Sequence, residues 1–290
     1  MAEKLRVGFI GLGNMGGPIA ANIAKAGFEM IVYDVVKAKE RAPAGARVAA
    51  SAAEVAANAD VVLLSLPDGK ATHAVCDEIV RANSRVVRAV LDTSTIGVAY
   101  AKQAHDKMKD ARIGYFDAPV SGGTAGAKAA TISVMFAGPK AEYERYEAIL
   151  RAMSKNPFYC GEAPGQGQAM KILNNFLSAT AMTATSEAIA FGMKQGLDMK
   201  LMIDVLNASS GQNTATSDKF PNRILPEKYD AGFLNNLLLK DISLYLENAE
   251  QAGTPVRYGS LVVDVWRKFV AAEPGVDFTR IYPFVRDGKG

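Results

Sequence analysis

Along the first half of the chain, short unbroken apolar runs alternate with stretches whose apolar residues recur every three or four positions. Leu5–Ile10, Met30–Tyr33, Asp60–Leu66, Val86–Leu91 and Ile113–Ala118 are such runs, with the composition of strands buried on both faces. Between them, Ile19, Ile23 and Ala26 ahead of Gly27, a stretch from Ser51, Lys70–Arg81 and Val98–Lys109 carry helical spacing. A shorter extended piece falls at Arg47–Ala50, and Ile132–Ala137 and Phe158–Cys160 read as strands flanking a helix at Lys140–Met153. Repeated strand-helix-strand units predict a parallel, doubly wound sheet that binds ligands beyond the carboxyl ends of its strands.

Beyond Gly165 the alternation stops. From Gly165 to Gly192, Met170, Leu173, Leu177, Ala181, Ala184 and Ala188 keep a three-four spacing, and Ile172, Phe176 and Ala179 widen the apolar surface. That predicts a largely buried helix of roughly 40 Å, long enough to act as a spine between two domains. Its middle is too polar to span a bilayer. Asp198–Ala208, Asn235–Ala252 and Arg257–Ala271 read as further helices, with Leu238, Ile242, Tyr245 and Ala249 in one stripe, and Ser209–Pro221 as a polar loop. The aromatics of this half, Trp266 among them, suit a core or an interface; the tail from Asp277 suits packing on the helices or on a partner. The fold expected is α/β followed by all-α: a sheet domain over 1–163 and a helical domain over 164–290, with the long helix at 165–193.

Composition narrows the class. The 290 residues are 49% hydrophobic and 22% charged, with a formal net charge of +3 and no basic block. That is an ordinary globular balance with no electrostatic footprint for nucleic acid. Cys76 and Cys160 lie far apart, without histidines at ligand spacing, which signals neither a disulfide framework nor a metal site. The N-terminal apolar run ends in glycines instead of a cleavage site. No membrane association is expected, and the cytoplasm is the expected compartment, a mature organellar protein being the alternative.

The candidate chemistry sits where the pattern breaks. Gly11-Leu12-Gly13-Asn14-Met15-Gly16 lies between a strand and a helix, the context in which G-x-G-x-x-G binds a dinucleotide. Gly11 permits the tight turn, Gly13 admits the pyrophosphate to the backbone, and Gly16 lets helix and strand pack closely; the helix N-terminus faces the phosphates. Asp34 follows the second strand, 21 residues beyond Gly13. A carboxylate there accepts ribose hydroxyls and repels a 2′-phosphate, which favours NAD, with NADP kept open by Lys37 and Lys39. Leu66, Pro67 and Thr95 stand at strand ends. Ser121-Gly122-Gly123 offers consecutive uncrowded amides suited to a carboxylate, or simply a turn. Lys171 and Glu187 are the only ionisable side chains of the long helix. A buried lysine there has its pKa pulled down from about 10.4, whereas one at the first turn can also snorkel. Asn175 shares its face. His73 and His105 read as structural or exposed.

Three of these motifs in this order, GFIGLGNMG at 8–16, DAPVSGGTAGA at 117–127 and GQGQAMKILNN at 165–175, together with Lys240-Asp241 in LLLKDISLYLENAEQAGTPV, resemble the β-hydroxyacid dehydrogenase family over essentially the whole chain. The resemblance implies a Rossmann domain, an interdomain helix and a helical domain that builds a homodimer or homotetramer. It implies an NAD(P)-dependent enzyme that interconverts a small 3-hydroxy acid and its semialdehyde. Lys171 would be the catalytic lysine and Asn175 its helix neighbour. Ser121, Gly122 and Gly123 would bind the substrate carboxylate; Lys240 and Asp241 would close over nicotinamide and substrate; Leu66, Pro67 and Thr95 would touch the cofactor. Two departures are visible. Ala130 and Ile132 flank Thr131 where glycine and leucine are usual, and Ser209-Ser210-Gly211-Gln212-Asn213-Thr214 lacks a tryptophan seen in several members, which suggests a roomier or more polar pocket. Competing readings are an imine reductase-like enzyme, which Lys171 argues against, and an inactive dinucleotide-binding module.

Overall fold

The computed structural model describes residues 5–289, and the chain divides into two compact units, Met1–Lys171 and Ile172–Gly290. The first unit carries, in order, β1 (Arg6–Ile10), α1 (Gly16–Lys25), β2 (Glu29–Tyr33), α2 (Ala38–Arg41), β3 (Arg47–Val48), α3 (Ala52–Asn58), β4 (Val61–Leu64), α4 (Gly69–Arg81), β5 (Ala89–Asp92), α5 (Val98–Asp110) and β6 (Gly114–Asp117). There follow β7 (Val120–Ser121), α6 (Gly123–Ala129), β8 (Ser133–Ala137), α7 (Lys140–Met153) and β9 (Asn156–Gly161). The strands form one sheet in the order β3-β2-β1-β4-β5-β6-β8-β7, with β9 on β8. The neighbours from β3 through β6 pair in parallel, while β8 runs antiparallel to β6 and β7.

Both faces of this sheet are covered, as the unbroken apolar runs require. Val61 and Leu63 of β4 pack with Val7, Phe9, Ile19 and Ile23 on one side. Val62 and Leu64 pack with Val55, Ile79 and Ala101 on the other. Two strands are shorter than the runs that announce them. β4 stops at Leu64 because the Leu66 amide turns to the Ser94 hydroxyl (2.8 Å). β5 starts at Ala89 because the amides of Val86 and Val87 both go to the Ala56 carbonyl. Helix α6, seven residues of which six are small and one is a lysine, has too little apolar periodicity to be read from sequence.

The long helix α8 runs Gln166–Lys194, 29 residues and about 44 Å. Its existence follows from the pattern, but its buried face does not. Of the expected stripe, Met170, Leu177, Ala184 and Ala188 are exposed, Leu177 by 60%. The buried face carries Gln168, Lys171, Asn175, Thr183, Thr185 and Ser186 beside Ile172, Ala179, Met182 and Ile189. Polar groups are therefore turned inward among apolar ones, while a second set of apolar residues is left outward, unlike an ordinary surface helix.

The second unit continues with α9 (Met199–Asn207), a π-helix at Ala215–Ile224, α10 (Asn235–Gln251), α11 (Arg257–Ala272), a 3₁₀ turn at Phe278–Arg280 and α12 (Ile281–Arg286). The polar segment expected as a loop to Pro221 is thus helical from Ala215. Asn213 starts it by accepting the amides of Ala215 and Thr216. Pro221 fits inside because the Thr216 carbonyl, five residues back and denied an N–H by the proline ring, accepts from Asn207 Nδ2 at 2.8 Å. Trp266 is fully buried and donates to Thr183 Oγ1 (3.0 Å). Phe278, Ile281, Tyr282 and Phe284 of the tail join the same core.

Candidate active site

At the end of β1, Gly11 has φ +95°, and a Cβ there would lie 2.2 Å from the Ser65 carbonyl oxygen; at Gly16 it would lie 1.9 Å from the Gly11 carbonyl oxygen. Helix and strand can approach only with glycine at both positions. At Gly13 a Cβ meets nothing within 4 Å. The loop is closed on the protein side and open on the other, a fit for a pyrophosphate lying against the backbone. The first turn of α1 holds no acidic residue to repel it. Leu12 is buried, Met15 half-buried against the core, and Asn14 exposed.

Asp34, just past β2, accepts the Leu12 amide at 2.5 Å and the Val36 amide at 2.7 Å. These bonds fix the carboxylate beside the glycine loop, and two carboxylate oxygens offer about four acceptor positions, so capacity remains for a diol. Lys37 pairs with Glu40 (3.2 Å). Leu66 and Thr95 are half-buried and Pro67 exposed beyond β4 and β5. Because β1, β2, β4, β5 and β6 are parallel, their carboxyl ends share one edge of the sheet, and these residues line it. Ser121 ends β7, and Gly122 and Gly123, with φ of +134° and +64°, lead directly into α6. The two histidines make structural contacts, His73 Nε2 with the Tyr100 carbonyl and His105 Nδ1 with that of Tyr115.

Two side chains that sequence reasoning passed over organise the start of α8. Asp117, at the end of β6, accepts the amides of Gly167 (3.1 Å) and Gln168 (3.3 Å) with its Oδ2. Burial, with the Asp92 carboxylate of the neighbouring strand adding to it, raises its pKa to about 7. Asp92 is also raised by burial, against bonds from Ser94 and Tyr115. Gln168, fully buried, accepts the amides of Ile96 (2.9 Å) and Gly97 (3.2 Å) and donates to the Ser94 carbonyl (2.9 Å). One turn on, Lys171 is 7% exposed. The clue in the sequence was a glutamine between glycine and lysine on a helix of small residues.

In the second unit, Asn175 Nδ2 donates to Asp241 Oδ2 at 2.6 Å, and Lys240 Nζ pairs with Asp241 Oδ1 at 3.1 Å. Asn175 and Asp241 are both buried. Asn175 of α8 and Lys240 and Asp241 of α10 therefore form one hydrogen-bonded and ion-paired group.

Residues 6–161 match the family model described as the NAD binding domain of 6-phosphogluconate dehydrogenase, and residues 165–285 the one described as NAD-binding of NADP-dependent 3-hydroxyisobutyrate dehydrogenase. The mitochondrial 3-hydroxyisobutyrate dehydrogenase of Mus musculus is 36% identical over 99% of this chain and 89% of its own. The chain belongs to the β-hydroxyacid dehydrogenase family. Another relative, the NAD-dependent L-serine dehydrogenase of Pseudomonas aeruginosa, is 35% identical over 90% of this chain and 91% of its own. Among solved structures, the 3-hydroxyisobutyrate dehydrogenase of Mycobacterium tuberculosis with L-serine superposes with a TM-score of 0.89 at 30% identity, covering 98% of this chain and all of that one. As a member of this family the protein is an NAD(P)-dependent hydroxyacid dehydrogenase with a nicotinamide dinucleotide as cofactor. Among the described residues no helix is long and apolar enough to cross a membrane.

Proposed function

We propose that this dehydrogenase interconverts a small 3-hydroxy acid and its semialdehyde, of the 3-hydroxyisobutyrate or 2-hydroxy-3-oxopropionate type. The observation that carries the reading is Lys171, a buried amine on a helix whose first turn is tied to the turn after β5. The glycine loop and Asp34 would hold the cofactor, with Leu66, Pro67, Thr95 and Lys240 completing the contacts, and the amides at Ser121–Gly123 would take the substrate carboxylate. The bound nicotinamide supplies the hydride chemistry. In oxidation Lys171 Nζ takes the proton of the substrate hydroxyl, and in reduction it returns one to the carbonyl oxygen. Asn175 and Asp241 orient the hydroxyl-bearing carbon. General acid-base catalysis of this kind is worth about 10²–10⁴-fold, so Lys171→Ala is expected to lower kcat by about that factor, while a variant that turns over at the wild-type rate removes Lys171 from the reaction.

NAD is the favoured dinucleotide. Asp34 is anchored in a position that meets a 2′-phosphate with negative charge, and Lys37 is engaged with Glu40. Relatives named for 3-hydroxyisobutyrate and for L-serine share a carboxylate and a hydroxyl on the third carbon, the pattern expected of the substrate here. The apolar stripe that α8 turns outward, with Leu177 and Phe191 exposed by 60% and 67%, supports a homodimer or homotetramer. A spectrophotometric screen of 3-hydroxyisobutyrate, glycerate, serine and threonate with NAD and NADP in parallel tests the assignment; no turnover of any 3-hydroxy acid would sink it.

A further inference from the structure

The GQGQ segment is a docking device whose parts are separately visible. Gly167 lets α8 come in close, since a Cβ there would lie 2.4 Å from the Met135 carbonyl oxygen and 2.7 Å from Asp117 Cβ. Asp117 receives the two amides of the first turn, acting as an acidic cap supplied from a strand far away in sequence. Gln168 then reaches sideways to the turn after β5. Both acceptor positions of its oxygen and one of its two N–H groups are used there, on Ile96, Gly97 and Ser94. That turn contains Thr95, and the next helical turn of α8 presents Lys171.

We propose that Gln168 is a positioning residue: its carboxamide fixes the Ser94–Gly97 turn, a cofactor contact, against the helix that carries the proton-transferring lysine. This rests on the reading of Lys171 and Thr95 given above. Gln168 touches neither substrate nor cofactor and acts through the turn and the helix. Its three bonds are made to backbone amides and a backbone carbonyl, so what matters is one acceptor and one donor held in one plane, a requirement that an aliphatic side chain cannot meet and a protonated carboxyl can.

The test uses Gln168→Glu and Gln168→Leu beside the wild type and Lys171→Ala. A neutral glutamic acid reproduces the pattern, its C=O accepting from Ile96 and Gly97 and its O–H donating to Ser94. The carboxylate instead sets a second oxygen against the Ser94 carbonyl, and the buried carboxylates of Asp92 and Asp117 on the neighbouring strand ends add to its cost. We expect the Gln168→Glu to wild-type ratio of kcat to stay near one at pH 5.5 and to fall by about tenfold or more by pH 9. The same ratio for NADH affinity, read by fluorescence titration without substrate, is expected to fall by about threefold or more as the carboxyl ionises. Gln168→Leu is expected to be impaired in both at every pH. A flat ratio with pH in either measurement overturns the proposal, and so does wild-type behaviour of Gln168→Leu; if that variant does not fold, the Gln168→Glu ratios decide alone. Should Lys171→Ala retain turnover, the acid-base reading falls by itself and the NADH-affinity ratio still judges Gln168. If Lys171→Ala is inactive and the ratios are flat, only the positioning role is lost.

Discussion

At the scale of the residue, burying an ionisable group carries a cost in free energy. Asp117 shows the cost: its carboxyl is held at about 7 against an ordinary value of 3.8. A carboxyl whose pKa is raised on folding contributes stability below its unfolded pKa and loses it as the pH rises through the folded value. From about pH 4 to pH 7 this one group is expected to remove on the order of 4 kcal/mol, at 1.36 kcal/mol per unit. Asp117→Asn keeps an acceptor for the Gly167 and Gln168 amides without the charge. Its stability relative to wild type is therefore expected to improve as pH rises across that window, measured by denaturant melts at pH 5 and pH 8; a constant difference would show that Asp117 does not titrate there. Asp34 makes a second residue-scale prediction. Removing its charge in Asp34→Ser is expected to move the NADP-to-NAD ratio of kcat/KM upward by about tenfold, or 1.4 kcal/mol, and an unmoved ratio would take cofactor choice away from this position.

Among the elements, glycines set how closely helices meet strands. Gly13 and Gly167 contrast directly. Gly167→Ala places a methyl group against the Met135 carbonyl and the Asp117 side chain, overpacking that costs about 1–3 kcal/mol, and is expected to lower both stability and kcat. Gly13→Ala meets only open space, so it is expected to leave the melting temperature close to wild type while weakening NADH binding; equal effects of the two changes on stability would contradict this division. Strand and helix positions in the first unit were largely legible from periodicity, since a sheet covered on both faces forces unbroken apolar runs. α8 was legible as a helix and misread as to its face. A count of apolar residues cannot tell a stripe turned to the core from one left for a partner, and it cannot show that Asn175 is held inward by its bond to Asp241. The π-helix at Ala215–Ile224 was hidden by its polar composition and by Pro221, whose vacated acceptor is filled from Asn207.

Over the whole molecule, each unit has its own apolar core, and the second depends on the end of the chain. Phe278, Ile281, Tyr282 and Phe284 are all buried around Trp266, the one tryptophan of the sequence. Burying each such side chain is worth about 1.5–3 kcal/mol, so four together match the 5–15 kcal/mol that holds a typical domain folded. Truncation after Val276 is expected to abolish cooperative unfolding of the second unit and to shift Trp266 emission to the red in native buffer. A truncated chain with blue emission and a sharp transition would show that the tail is dispensable.

The sequence by itself determined the strand-helix alternation, the dinucleotide loop, the change to helices after Gly165 and the family motifs, because each is written in local spacing and in residues that a given backbone conformation requires. Tertiary structure decided which side of α8 faces inward, that Asp117 caps a helix fifty residues away and that Gln168 grips the turn after β5. Those contacts join segments distant in sequence, and hydrogen bonds between a side chain and a remote backbone leave no periodic mark in the chain that forms them.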